Sequence, residues 1–476
     1  MKTRREFLRD CGLLMAGGSL STAGAYASPT AAPAPVPVSQ AEPVEPLTGV
    51  KFSIRGLEAQ IGRAITYVVV GAGGRGSAYA TYAATFPQKA KLVGVSDIND
   101  FRLKRMADAH NVPAAQRFGD YHEILNVPRL ADAMVISLPD HLHYDACMKA
   151  LALGYHVLLE KPMAQTEKEC RNLLAQSRKY NRIVALGHVL RYAPYFVAMK
   201  ETAQSGIIGD ILSIQHMEPI EMTHFTHSYI RGNWHNSKET TPIILSKSCH
   251  DLDILRWIIG KRCLSASADG ALTYFNEQHA PEGAPRKCTD GCPYDSTCPF
   301  SALGTYVRKR AWLYPLDLRY ESTDEEIIRK LKETNYGTCV FHSDNDQPDH
   351  YVSNFVFEGG TTATFSMEAC TPWGGRRTRI MGTKGFIEGA ESEFTVTDFL
   401  TRTPKVWNLE IQKAQDLVSS GHGGGDLALF RDFAEAVFYE DVSRLTSNIE
   451  ASVESHIMGF ACEKSRKTMK KVAIKI

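Results

Sequence analysis

Neither sign of charge dominates this chain: 54 Lys and Arg face 53 Asp and Glu, for a formal net charge of +1. That balance removes the basic face a nucleic-acid partner requires. Long hydrophobic runs are missing as well. No internal stretch reaches the roughly 18 to 20 apolar residues that span a bilayer, so no stable membrane anchor is expected. No repeat of solenoid or propeller period recurs. What remains is an ordinary globular composition, 43% hydrophobic and 22% charged over 476 residues, enough for two domains with separate cores.

The first residues read as an address label. Thr3-Arg4-Arg5-Glu6-Phe7-Leu8 is a twin-arginine pattern, residues 11–23 are mildly apolar, and Ala25-Tyr26-Ala27 offers a small-x-small cleavage site. A signal peptide is therefore expected over 1–27, with delivery to the periplasm or otherwise outside the cytoplasm. Ala and Pro then crowd 28–46, so 28–60 reads as a linker and arm.

Chemistry begins at Tyr67-Val68-Val69-Val70, a β-branched run suited to a strand buried on both faces. It runs into Gly71-Ala72-Gly73-Gly74-Arg75-Gly76 and then a helix-prone stretch, the G-x-G-x-x-G context of a dinucleotide site. Gly71 permits the tight turn, Gly73 lets backbone approach a pyrophosphate, and Gly76 lets helix and sheet pack closely. A second strand over 91–96 ends in Asp97, twenty-one residues after Gly76, where an acid hydrogen-bonds the adenosine ribose. A carboxylate there repels a 2′-phosphate, so NAD is expected rather than NADP; Arg102 is the one nearby group that softens this. Strands over 133–138 and 156–159 end in Pro139-Asp140-His141-Leu142-His143 and Glu160-Lys161-Pro162. Both clusters thus sit at carboxyl ends of parallel strands, where open α/β sheets bind ligands. Thr166 with Glu169 forms a capping box opening the next helix.

These residues, with Gly187, Arg191-Tyr192 and Cys249-His250-Asp251-Leu252-Asp253, resemble the Gfo/Idh/MocA group, the glucose-fructose oxidoreductase and inositol dehydrogenase family. The resemblance runs from Tyr67 to the C-terminus. It implies an α/β protein: an N-terminal Rossmann domain with a doubly wound parallel sheet over 61–190, then a C-terminal α/β domain with a large open, mostly antiparallel sheet over 191–446. A helix and strand over 447–476 are expected to return to the first domain. Copies are expected to associate through the large sheet as a homo-oligomer. The implied cofactor contacts are Gly71, Gly73, Arg75, Gly76, Asp97, Pro139, His143, Glu160 and Lys161.

The same resemblance makes Lys161 and His250 the catalytic pair, Lys161 at the reacting hydroxyl and His250 as acid/base, with Asp253 placed to orient the imidazole. One position departs from the family pattern. Many members carry Asp four residues before the histidine, but Ser246 stands there, followed by Lys247. Serine cannot hold an imidazolium by charge, so Lys247 is a candidate to share that work. Tyr192, Arg231, Trp234, Lys247, Asp253 and His422 are the candidate substrate contacts. His422 lies in Gly421-His422-Gly423-Gly424-Gly425-Asp426, either a loop that closes on a ligand or a hinge before a helix that Asp426 caps.

The expected activity is oxidoreduction of a sugar, sugar derivative or polyol, with NAD held tightly and recycled, since an exported enzyme has no free nucleotide to draw on. The alternative is an NAD-dependent glycosidase working by transient oxidation and elimination. Eleven cysteines include Cys288, Cys292 and Cys298 in an insertion expected over 280–305. Their spacing suits a metal but lacks a fourth ligand; a disulfide or free thiols are equally open readings.

Overall fold

The computed structural model describes residues 45–411 and 421–475. The segment read as a signal peptide, 1–27, and the linker as far as residue 44 lie outside the described residues.

Strand β1 (Glu45–Pro46) belongs to the second of two sheets. The first sheet is built from β2 (Ile65–Val70), β3 (Ala90–Ser96), β4 (Arg117–Phe118), β5 (Ala133–Ile136), β6 (His156–Leu159) and β7 (Val184–Leu186). Its order is β4-β3-β2-β5-β6-β7 and every pairing is parallel. Side chains alternate along β2. Tyr67 and Val69 enter one core with the Gly74–Thr85 and Gly425–Tyr439 helices; Val68 and Val70 enter another with the His143–Ala152 and Glu167–Tyr180 helices. Both faces are covered, which is why the strand carries no polar alternation. The order reverses between β2 and β5, and the carboxyl ends of these strands border the crevice where such sheets take ligands.

The second sheet adds β8 (Ile211–Pro219), β9 (Cys263–Ala271), β10 (His350–Phe357), β11 (Thr362–Glu368), β12 (Arg377–Gly382), β13 (Gly385–Ala390), β14 (Glu393–Asp398), β15 (Pro404–Asn408) and β16 (Val472–Ala473). Ten strands run in the order β1-β15-β14-β13-β12-β8-β11-β10-β9-β16; β8–β11 and β1–β15 are parallel and the other pairs antiparallel. Burial alternates along β10: Tyr351, Ser353 and Phe355 point inward, while Val352 and Asn354 face out. The inner face packs on Phe196 and Met199 of the Pro194–Gln204 helix and on Leu252, Leu255 and Ile258 of the Cys249–Ile259 helix. The chain is thus an α/β protein with a doubly wound Rossmann sheet and a large, mostly antiparallel open sheet.

Three segments differ from the sequence reading. Residues 45–46 are not linker, because they pair with Lys405 and Val406 at the edge of the large sheet. The final strand does not return to the first domain. Residues 447–448 bond to β7, the Ile449–Thr468 helix follows, and β16 then pairs with β9 in the second sheet. The insertion is also longer than 280–305. It fills the whole gap from β9 to β10 and has its own small core of Tyr306, Leu313, Leu316, Ile327 and Leu331. Among the described residues no helix is long and apolar enough to cross a membrane.

Candidate active site

The glycine turn is shaped by what a side chain would hit. A Cβ on Gly71, whose φ is +95°, would lie 2.5 Å from Ser137 O, and one on Gly76 would lie 2.1 Å from Gly71 O. Gly73 is different: a Cβ there meets nothing within 4 Å, so its free face is open to a ligand. Gly73 is also the N-cap of the Gly74–Thr85 helix and has no side-chain cap, so the first-turn amides are available to phosphate oxygens. Asp97 is held in place by backbone, accepting from Ala72 N at 2.6 Å and Asn99 N at 2.8 Å. Pro139 stands exposed at the carboxyl end of β5. These residues fit a dinucleotide.

Glu160, at the end of β6, is buried and gathers its surroundings. It accepts from Arg75 Nε at 2.7 Å, Tyr79 Oη at 2.6 Å and Lys161 N at 3.1 Å. Burial opposes its charge, but Arg75 and Lys161 beside it hold the carboxyl below its ordinary range. Gly187 leaves room for it, since a Cβ there would come 3.0 Å from the carboxylate. Arg75 also pairs with Asp426 at 3.0 Å and donates to Tyr79 Oη at 2.8 Å. Its guanidinium is therefore spent on positioning these groups, which leaves its backbone amide, in the first turn of the helix, as the part of Arg75 free to meet a cofactor. His143, read as a cofactor contact, is corrected. It is buried, and its ring nitrogens lie 2.7 Å from Pro162 O and 2.8 Å from Leu138 O, so it ties two loops together.

Lys161 reaches across from the first domain to the second. Its Nζ donates to Ser246 O at 2.7 Å and lies 5.8 Å from the Trp234 ring centroid. A backbone carbonyl of Ser246, not a carboxylate, thus receives the lysine. Trp234 is fixed in turn by its Nε1 donating to Asp140 at 3.0 Å. His250 is buried, with Nδ1 unpartnered among the described residues, and its ring lies 6.0 Å from those of His188 and His422. Burial, reinforced by positive charge on Lys161 and Arg376, pushes its pKa well below the usual histidine range. His422 is partly exposed and pairs with Asp426 at 3.0 Å. Asp426 therefore does not cap its helix; burial opposes its ionisation, but His422 and Arg75 hold its pKa at about 2.

Lys161, His250, Trp234, Lys247 and His422 share this region. Three other candidates do not. Tyr192 Oη lies 2.9 Å from Ser447 Oγ and accepts from Ser447 N, a buried tie between distant chain segments. Arg231 donates to Thr338 O and Phe300 O, both at 2.7 Å, at the root of the insertion. Asp253 does not orient His250. It takes a two-pronged ion pair from Arg191, at 2.5 and 2.7 Å, and lies 3.0 Å from His188 Nδ1.

Residues the sequence reading passed over complete the floor. Lys247 pairs with Glu218 at 2.9 Å, Glu218 with Arg376 at 2.9 Å, and Arg376 with Asp251 at 2.6 Å; His216 closes the chain at 3.0 Å from Asp251. Asp251 sits inside the Cys249–Asp253 motif and Glu218 near the end of a strand, which were the available signals; Arg376 follows a glycine pair and offered none. His188, Cys249 and His456 bring ligand atoms within 4.8 Å of one another. They do not form a metal site, because His456 spends one ring nitrogen on Met163 N and the other on Ser452 O.

A strap from the insertion crosses the outside of the groove. Trp312 stacks on His224 at 5.0 Å and His227 at 4.7 Å; Tyr314 Oη lies 3.3 Å from Ser77 Oγ and bonds Arg105; Asp317 pairs with Arg102 at 2.7 Å and accepts from Asn99 Nδ2 at 2.8 Å. His224 is pushed down to about 2, by burial first and then by Lys247. Arg102 is neutralised by Asp317, so its charge is not free to favour a 2′-phosphate.

Residues 65–188 match the family model described as an oxidoreductase family with an NAD-binding Rossmann fold, and 200–474 match the C-terminal alpha/beta domain of the same family. YteT of Bacillus subtilis, named as an oxidoreductase, is 26% identical over 359 residues, covering 72% of this chain and 81% of YteT. The inositol 2-dehydrogenase/D-chiro-inositol 3-dehydrogenase of Lactiplantibacillus plantarum is 25% identical over 192 residues, 40% of this chain and 51% of that enzyme. The chain therefore matches only about half the length of that enzyme. An inositol dehydrogenase homologue from Azotobacter vinelandii, solved with NAD+, shares the fold with a TM-score of 0.64 at 16% identity, covering 88% of this chain and all of the other.

The Asp253–Arg191 pair yields a stability prediction with a sign. Burial opposes the Asp253 charge, but Arg191 and His188 hold its pKa below the ordinary carboxylate range. Its contribution is therefore complete above about pH 3.9 and is lost as the pH falls below that. Asp253→Asn leaves Arg191 buried and unpaired, costing about 3–5 kcal/mol at pH 7. Urea denaturation of both proteins should show that gap narrowing below pH 4; a gap unchanged down to pH 2 contradicts the assignment.

Proposed function

Because the chain belongs to the Gfo/Idh/MocA oxidoreductase family and has its NAD-binding Rossmann domain, we propose that it oxidises or reduces a sugar, sugar derivative or polyol with a retained, recycled NAD. The observation that carries this is that Lys161, following β6 of the first sheet, reaches Ser246 O and the Trp234 ring in the second domain, where its charge acts on the buried His250. NAD, when bound, supplies the hydride acceptor or donor. Gly73 and the uncapped helix amides receive its phosphates, and Asp97 its adenosine ribose. Lys161 holds the reacting hydroxyl oxygen. His250, kept neutral by its surroundings, takes the hydroxyl proton. Trp234 offers an apolar face to a ring, and Lys247 and His422 hydrogen-bond other hydroxyls.

The strap supports retention of the nucleotide, since Tyr314 and Asp317 tie the insertion down over the glycine turn and the β3 end. A second reading, a glycosidase with transient oxidation, is favoured by the His250–His422 pair, 6.0 Å apart, because elimination needs a second proton-transfer group near the oxidised carbon. We further propose that the chain acts outside the cytoplasm, on the strength of residues 3–27; cell fractionation tests this, and activity confined to the cytoplasm refutes it. Copies associate in this reading through the outer face of the large sheet, where Leu212, Leu264 and Val352 are exposed.

A screen of polyols, free sugars and nitrophenyl glycosides without added nucleotide separates the two activities: chromophore release favours the glycosidase, and change in nicotinamide absorbance alone favours the dehydrogenase. Silence in both arms overturns the proposal. Replacing His250 by Gln should cut kcat by about 10²- to 10⁴-fold. In the wild type the acid limb of kcat/KM should lie well below pH 6.5, because a base with a depressed pKa stays deprotonated as the pH falls. A limb at or above that value contradicts the role. Tyr314→Ala with Asp317→Ala should speed release of bound NAD at least about tenfold while leaving the fold intact; unchanged release removes the strap from the account.

A further inference from the structure

The insertion reaches back to the first domain and meets it at the end of β3, beside Asp97. Tyr314–Leu316 forms a single turn, and Asp317 follows it in the left-handed region at φ +58°. Its carboxylate accepts from Arg102 Nε at 2.7 Å and from Asn99 Nδ2 at 2.8 Å. Arg102 Nη2 also donates to Pro315 O at 3.2 Å. The guanidinium is thus held by groups 215 and 213 positions further along the chain.

We propose that Asp317 is a specificity-determining residue: it withholds Arg102 from a 2′-phosphate, and so makes NAD rather than NADP the nucleotide this chain retains. The inference rests on the reading of the glycine turn as a dinucleotide site, and adds to it a residue from outside the Rossmann domain.

Arg102 stands at the ribose end of that site. It lies in the first turn of the Asp100–Ala109 helix, just past Asp97. Asn99 caps this helix, its Oδ1 accepting from Arg102 N at 3.1 Å, while its own N–H donates to Asp97 at 2.8 Å. One asparagine therefore ties together the ribose acid, the arginine and the carboxylate of the insertion. An arginine in this neighbourhood is what accommodates a 2′-phosphate in sites that take NADP. Asp97 repels such a phosphate, but a free guanidinium this close would offset the repulsion. Here the guanidinium is already committed. The pair is only partly exposed, 27% for Arg102 and 23% for Asp317, so salt screens it weakly. Arg105, one turn on, is engaged as well. It bonds the Tyr314 hydroxyl, lies 4.6 Å from the centroid of that ring, and donates to Ser77 Oγ at 3.2 Å.

Asp317 also fastens the strap, so its test needs a readout that fastening alone would not move. Loosening the strap weakens both nucleotides together. Freeing Arg102 favours only the one with the extra phosphate.

The full chain, as purified, is incubated with a large equimolar excess of NAD and NADP and passed through gel filtration. Mass spectrometry then quantifies the bound nucleotides. Asp317→Asn, which removes the charge and tolerates a left-handed backbone, should raise the NADP:NAD ratio at least about tenfold. Adding Arg102→Ala should return the ratio to that of the wild type. Tyr314→Ala, which loosens the strap but leaves the Arg102–Asp317 pair, should not move it. If Asp317→Asn fails to fold, Arg102→Ala alone decides. The wild-type ratio should persist there, because that guanidinium is withheld; a fall of about tenfold shows it already reading the phosphate and overturns the proposal. An unmoved ratio in Asp317→Asn, a rise that survives Arg102→Ala, or a wild type that takes mainly NADP also overturns it. Each of those results leaves the dinucleotide site standing, whereas a wild type that retains neither nucleotide overturns both.

Discussion

The site depends on one buried carboxylate. Glu160 ends a strand of the first domain, and its oxygens are claimed by Arg75 from the nucleotide-binding helix, by Tyr79 one turn on, and by the amide of Lys161. Through Arg75 the same node reaches Asp426 and His422 of the second domain. A buried anion left unpaired would cost several kcal/mol. The glycine turn, Lys161 and the histidine loop are therefore held together by a shared need to satisfy that charge. Gly187 is part of the bargain, because any side chain there would press on the carboxylate.

A second charged network runs from Lys247 through Glu218, Arg376 and Asp251 to His216. The site keeps Lys161 in position through the Ser246 carbonyl, while the carboxylate opposite Lys247 comes from β8. Burial, helped by the positive charges of Lys161 and Arg376, keeps His250 neutral, as the proposed role of proton acceptor requires.

Legibility in the sequence followed distance along the chain. The strand, glycine turn and helix at 65–85 could be read because β-branched residues and glycines with distinct steric duties stand side by side. The capping box at Thr166 and Glu169 was equally local, and the structure shows both of its hydrogen bonds. The partner of the Arg75 guanidinium could not be read locally, because the fold delivers Glu160 from 85 residues away. Tyr192 looked like a substrate contact, yet its partner Ser447 stands 255 residues on. The strap was hidden for the same reason: a long insertion folds back over the glycine turn and the end of β3, and no local spacing records that return.

The central claim is that this scaffold closes around a dinucleotide and keeps it. Native mass spectrometry of the purified chain, with no nucleotide added, tests it most directly. One NAD per chain, surviving gel filtration, is the predicted result. A bare chain that also fails to take up NAD on titration would contradict it.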